Sequence, residues 1–178
     1  MSETTKNGAL GLAFDPGDGI ATLTLQMSGT ANKINEEFAE GMAEALQWAL
    51  EQKGLNGIVI GSAHKNFCVG ADIDMLYKER DPAVLYHKVR ELQQGFRKLE
   101  TCGVPVVAAI TGSALGGGCE LTLACNRRIA LDDPQVQIGL PEVNLGVFPG
   151  GGGTQRLPRM LGLQKALEII AQGQMLRA

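Results

Sequence analysis

The chain has 178 residues, 44% apolar and 20% charged, with a formal net charge of −3. That length suits a single domain, residues 1–178, with a core of ordinary size. The acidic balance argues against a nucleic-acid partner, which needs a basic face, and no apolar run approaches the about 20 residues of a membrane span.

The start, "MSETTKNGAL", has no basic segment followed by an apolar stretch, so no secretory signal is expected and the cytoplasm is the expected location. Four cysteines, Cys68, Cys102, Cys119 and Cys125, form no Cys-x-x-Cys pair and read as ordinary thiols. Beside only His64 and His87, they leave few ligands for zinc.

In chain order, "GIATLTLQM" alternates, placing Ala21, Leu23, Leu25 and Met27 on one side of a strand. Residues 36–52 carry Phe38, Met42, Ala45, Ala49 and Leu50 at helical spacing, with Asn35 as N-cap and Glu36 and Glu37 in the first turn. "GIVIG", 57–61, predicts a buried strand. Asp81-Pro82 opens a second helix, along which Leu85, Val89, Leu92, Phe96 and Leu99 recur until Gly103 ends it. "VPVVAAI" predicts another buried strand, 115–124 a helix entered from glycine, "RRIAL" a short strand and "LQKALEIIAQGQ" a last helix. The final "GQMLRA" shows no clear element. Strand and helix alternate throughout, the pattern of an α/β fold with parallel strands covered by helices.

Three glycine-bearing loops follow expected buried strands: "FCVGADI" after "GIVIG", "GSALGGG" after "VVAAI", and "PEVNLGVFPGGGG" after "VQIGL". Ligands of α/β folds bind where loops leave the C-terminal ends of strands. Neither Gly-x-Gly-x-x-Gly nor Gly-x-x-x-x-Gly-Lys-Ser/Thr is present, which argues against a nucleotide site. Alone, "GGG" reads as a tight strand-to-helix turn. Glu120, in the first turn of the following helix, is either a surface acid favoured by the helix dipole or a half-buried carboxylate suited to acid–base work. Glu142 follows Pro141 and reads as a solvent-facing loop acid or as its partner. The N–H of Gly117, at the helix start, has no intrahelical acceptor and can face a developing negative charge. Two such acids beside free donors could add or remove water, or move a proton beside a carbonyl.

Asp72 and Asp74 are expected to be caps or surface charges, since residues i and i+2 share no helix face. Arg156 and Arg159 are expected in ordinary surface ion pairs near a helix N-terminus. Lys33 reads equally as a solvated loop lysine or a phosphate contact.

These same stretches, with "LPEVNLGVFPGGGGTQRLPR" and "KALEIIAQGQ", resemble the enoyl-CoA hydratase/isomerase, or crotonase, superfamily, in order from Gly19 to the end. "NKIN" and "PGGGGTQRLPR" are most similar to the N-terminal part of multifunctional fatty-acid oxidation α-subunits. The resemblance implies a ββα superhelix, whose paired strands the alternating pattern does not reveal. It also implies a chain that stops before the C-terminal helices that cap the acyl pocket and build the trimer.

For the site, it implies catalytic glutamates at Glu120 and Glu142 and an oxyanion hole from the N–H groups of Ala71 and Gly117. Lys33 would lie near the CoA phosphates. Val69, Asp72, Ile73, Leu115, Gly116, Pro141 and Gly150 would line the pocket. The implied reaction is 2-enoyl-CoA hydration in fatty-acid β-oxidation, without metal or redox cofactor. The alternatives are Δ3-Δ2-enoyl-CoA isomerisation by the same pair, or an inactive CoA-binding or assembly fragment. The implied partners are an acyl-CoA thioester and further copies of the chain, or a multienzyme complex.

Overall fold

The computed structural model describes residues 4–177. Its main sheet has six strands. β1 (Thr4–Lys6), β2 (Leu10–Asp15) and β3 (Ile20–Leu25) form an antiparallel meander. β3, β4 (Gly57–Ser62), β5 (Val106–Ile110) and β7 (Arg127–Ala130) then run parallel. A smaller sheet joins β6 (Ala114–Leu115), β8 (Gln137–Gly139) and β9 (Met175–Arg177). Parallel neighbours need a crossover, and helices supply it: α1 (Glu36–Leu50) between β3 and β4, and α2 (Ile73–Lys78) and α3 (Pro82–Glu100) between β4 and β5. α4 (Gly117–Ala124), α5 (Gly153–Leu161) and α6 (Leu163–Gln172) complete the fold.

The alternation in β3 does what its period demands. Ala21, Leu23 and Leu25 are buried, with Met27 just beyond, and they meet Phe38, Met42, Ala45 and Ala49 of α1 in the main core. Asn35 caps α1 by accepting from the Phe38 N–H at 3.0 Å. Leu50, expected on that apolar face, is exposed at the helix end. A second, smaller core gathers Cys119, Leu123, Leu140, Leu157, Ala166 and Ile169 around α4, α5 and α6.

Several elements escaped the sequence pattern. β1 and β2 form the paired strands that the alternating pattern missed. "VQIGL" makes β8 of the small sheet, with Gln137 exposed, not a strand buried in the main one. "GQMLRA" contains β9, which pairs antiparallel with β8. The helix N-terminal region expected around Arg156 and Arg159 is α5, which carries Pro158 within it. The four cysteines are free thiols. Among the described residues no helix is long and apolar enough to cross a membrane.

Candidate active site

The first loop of the site, residues 67–72, is anchored from beneath by Asn32. This buried side chain accepts from the Met27 N–H (3.1 Å) and donates to the Ser62 hydroxyl and the Phe67 carbonyl (both 2.9 Å). Farther along, Ile34 bridges Ala71 in parallel fashion: its N–H donates to the Gly70 carbonyl at 2.8 Å, and its carbonyl accepts from the Asp72 N–H at 3.0 Å. In a parallel bridge the residue opposite directs its own N–H the other way. Ala71 therefore presents its N–H on the far side, where no acceptor meets it among the described residues.

That far side is the start of α4. Leu115 donates to the Cys68 carbonyl (3.0 Å) and Gly116 to the Gly139 carbonyl (2.9 Å), so the second loop lies between the first loop and β8. Gly116 has φ +54°, which glycine adopts without strain. A methyl group on Gly117 would lie 2.6 Å from Cδ1 of Ile34, which would have to move aside, and 3.9 Å from the Ala71 nitrogen, so the two segments lie close together here. Gly117 is the first residue of α4, and its N–H has no intrahelical acceptor. Two backbone donors thus sit side by side at the positive end of a helix.

Glu120 follows one turn later and is 2% exposed. Its Oε1 accepts from the Gly153 N–H at 2.7 Å. Burial raises its pKa, while the N–H groups of Gly153, Gly151 and Gly152 and the Arg156 guanidinium act in the opposite direction. The glycine run is a steric necessity here: a methyl group on Gly151 would lie 2.7 Å from Oε2 of Glu120.

Glu142 opens a short 3-10 helix, Glu142–Leu145, reached from β8 through Pro141. It is no solvent-facing loop acid, because its Oε2 is buried without a hydrogen-bond partner among the described residues. A methyl on Gly116 would lie 3.2 Å from Oε1 of Glu142, which places this carboxyl over the entrance to α4. Burial first, and then the charge of Glu120, push the Glu142 carboxyl up to about 7, against the pull of its own backbone N–H. Cys119, beside both acids, is pushed up to about 12, mainly by burial, and is no thiolate nucleophile.

The structure therefore brings Glu120, Glu142, Ala71 and Gly117 together. Leu115, Gly116 and Pro141 flank them in the same loops, and Val69 donates to the Asn32 carbonyl at 3.0 Å. Gly150 accepts from Gln93. Ile73 is exposed at the start of α2. Asp72 caps α2 through the Asp74 N–H and also meets the exposed Lys33 at 3.5 Å. Arg159 lies in the open, but Arg156 departs from the expected surface ion pair. Its side chain is 14% exposed and pairs with Glu100 of α3. Sequence reasoning passed over Asn32, Gln93, Glu100 and the amides of Gly151–Gly153. The only signal for them was the glycine run itself.

Such a site can hold a water between two carboxyl groups and receive an oxyanion on two N–H groups. The family model described as enoyl-CoA hydratase/isomerase matches residues 15–178. The fatty acid oxidation complex subunit alpha of Shewanella loihica is 46% identical over 90% of this chain, which spans 23% of that protein. An enoyl-CoA hydratase structure from Geobacillus kaustophilus superposes with TM-score 0.92 at 30% identity, over 99% of this chain and 66% of the other. One from Bacillus anthracis gives 0.82 at 30% identity, over 99% and 64%. The mixed α/β architecture is thus the crotonase fold, present in a chain shorter than these relatives, and the chain belongs to the enoyl-CoA hydratase/isomerase family.

Proposed function

We propose that the chain adds water across the C2=C3 bond of a 2-enoyl-CoA thioester. The observation that carries this reading is the pair of carboxyls gathered beside two free backbone donors. Glu120 accepts from the Gly153 N–H at 2.7 Å, a bond that favours the ionised form, while burial raises its pKa overall. Glu142 has no partner at Oε2 among the described residues, and burial pushes its carboxyl up to about 7. The pair offers one group to act as base and one to act as acid.

In the proposed step, Glu120 takes a proton from water as the water oxygen bonds to C3. The π electrons move toward the thioester oxygen, which the N–H groups of Ala71 and Gly117 receive. Glu142 then gives its proton to C2, and the carbonyl reforms. The cycle leaves Glu120 protonated and Glu142 ionised, so exchange with solvent resets the pair. Each backbone donor to such an oxyanion contributes about 3–4 kcal/mol to the barrier reduction in comparable sites. The exposed Val143, Leu145, Val147 and Phe148 offer apolar surface for an acyl chain next to the acid. The likeness to the Shewanella subunit supports a place in fatty-acid oxidation and in an oligomeric assembly.

Loss of the enoyl-thioester absorbance of crotonyl-CoA tests the reaction. Glu120→Gln and Glu142→Gln are each expected to lower kcat about 10²- to 10⁴-fold, the usual contribution of a positioned acid or base, with CoA-thioester binding retained. Conversion of a 3-enoyl-CoA without loss of crotonyl-CoA would assign the isomerase reaction instead. A site that binds CoA thioesters and turns over neither would be a binding fragment.

A further inference from the structure

The glycine loop that faces Glu120 is held from behind by two side chains that take no part in the hydration steps. Gln93 of α3 donates from Nε2 to the Gly150 carbonyl at 2.7 Å. Arg156 of α5 donates from Nη1 to the Gly151 carbonyl at 3.2 Å. Its Nε and Nη2 reach Glu100, at the end of α3, at 3.4 and 3.3 Å.

Peptide geometry connects these bonds to the site. In a trans peptide unit the C=O and the following N–H point in opposite directions, and no cis bond occurs among the described residues. The Gly150 carbonyl shares a unit with the Gly151 N–H, and the Gly151 carbonyl with the Gly152 N–H. Holding each carbonyl fixes the direction of the N–H in the same unit, and so sets the path of the loop up to Gly153, whose N–H donates to Glu120 at 2.7 Å. We infer that Gln93 and Arg156 are positioning residues for Glu120, which fix two consecutive glycine peptides of the loop and thereby hold the Gly153 N–H on its carboxylate. Glycine leaves these peptides free to rotate, so the direction has to come from outside the loop. Gly152, at φ +114°, sits directly against Nη1 of Arg156, a place that a Cβ would occupy.

The kinetic part of this inference rests on the hydratase reading, but the geometry does not. The charged groups bearing on Glu120 are Arg156 from α5 and Glu142 from the 3-10 helix. Glu100 stands behind Arg156, and the buried Cys119 thiol adjoins from α4. Gln93 is neutral, so removing it changes the peptides without removing a charge.

The experiment is a carbon-13 titration of the Glu120 carboxyl in the protein at its full natural length, with Glu120→Gln to assign the signal. Gln93→Leu and Arg156→Met are each expected to move the Glu120 midpoint to higher pH, further for Arg156→Met, where a cation is also lost. Arg156→Lys, which keeps both a donor and the charge, is expected to recover part of the shift. In crotonyl-CoA hydration, kcat of Gln93→Leu falls about tenfold, the effect of one lost hydrogen bond. KM holds, and the acidic limb of the pH profile moves up. If Gln93→Leu does not fold, Gln93→Met keeps the length, stays neutral, removes the donor and is expected to give the same shift. A Glu120 midpoint unmoved by the Gln93 substitution overturns the inference. A midpoint that moves in a protein that hydrates nothing leaves the clamp standing and removes the hydratase reading.

Discussion

Gly151→Ala tests how closely the site is built. The new methyl would lie 2.7 Å from Oε2 of Glu120, 3.1 Å from its Cδ and 3.0 Å from Cε2 of Phe96. Ordinary contact requires about 0.7 Å more than the shortest of these. Gly151 lies outside the left-handed region, so alanine adopts its backbone without strain and the whole effect is steric. Phe96 is fixed in the core, so the carboxylate gives way, and its 2.7 Å bond from Gly153 stretches beyond hydrogen-bond range. A hydrogen bond to a charged group contributes about 1.5–3 kcal/mol, which corresponds to a fall in kcat of about 10- to 100-fold. Overpacking costs a further 1–3 kcal/mol of stability, roughly. The assay is crotonyl-CoA hydration beside a thermal melt. The control is Gly95→Ala, on α3, where a methyl meets nothing within 4 Å. It is expected to add about 0.5–1 kcal/mol of stability and to leave kcat alone. Near-normal kcat in Gly151→Ala would refute the placement of Glu120 in the reaction.

Stability should depend on Glu142. Its folded pKa, about 7, lies above its ordinary 4.5, so the folded state holds the extra proton between these values, and stability falls as pH rises through that window. Denaturant melts across pH 4.5–7 should show a shallower decline in Glu142→Gln, and an equal slope would mean that the carboxyl is not desolvated. Asn32→Ala leaves the Met27 N–H and the Phe67 carbonyl without their buried partner, and should cost about 3 kcal/mol in urea unfolding. Lys33→Ala, which breaks an exposed pair with Asp72, should change stability by less than about 1 kcal/mol. If Lys33 meets the CoA phosphates, calorimetry will show weaker binding of CoA but unchanged binding of the phosphate-free pantetheine thioester.

Much of the architecture was legible in periodicity. Ala21, Leu23 and Leu25 alternate because β3 covers one face, and Phe38, Met42 and Ala45 recur because α1 lies on that sheet. The caps Asn35 and Asp81 were readable because a cap is a local bond. β6 and β8, of two and three residues, are too short to show any period. Arg156 was misread because an arginine near a helix start has the same spelling whether its partner is water or Glu100, 56 residues away.

Local order thus determined by itself the alternation of strands and helices, the permissive backbone at Gly116–Gly118 and the presence of Glu120 one turn beyond it. The loop pattern also raised Glu142 as a possible partner of Glu120, and family resemblance supplied Ala71. Tertiary structure decided what local order cannot encode: which acid meets a donor and which keeps an oxygen without one. Burial and hydrogen-bond satisfaction depend on chain segments distant in sequence. The Gly153 amide, 33 residues on, donates to Glu120, while Oε2 of Glu142 is buried with no partner among the described residues.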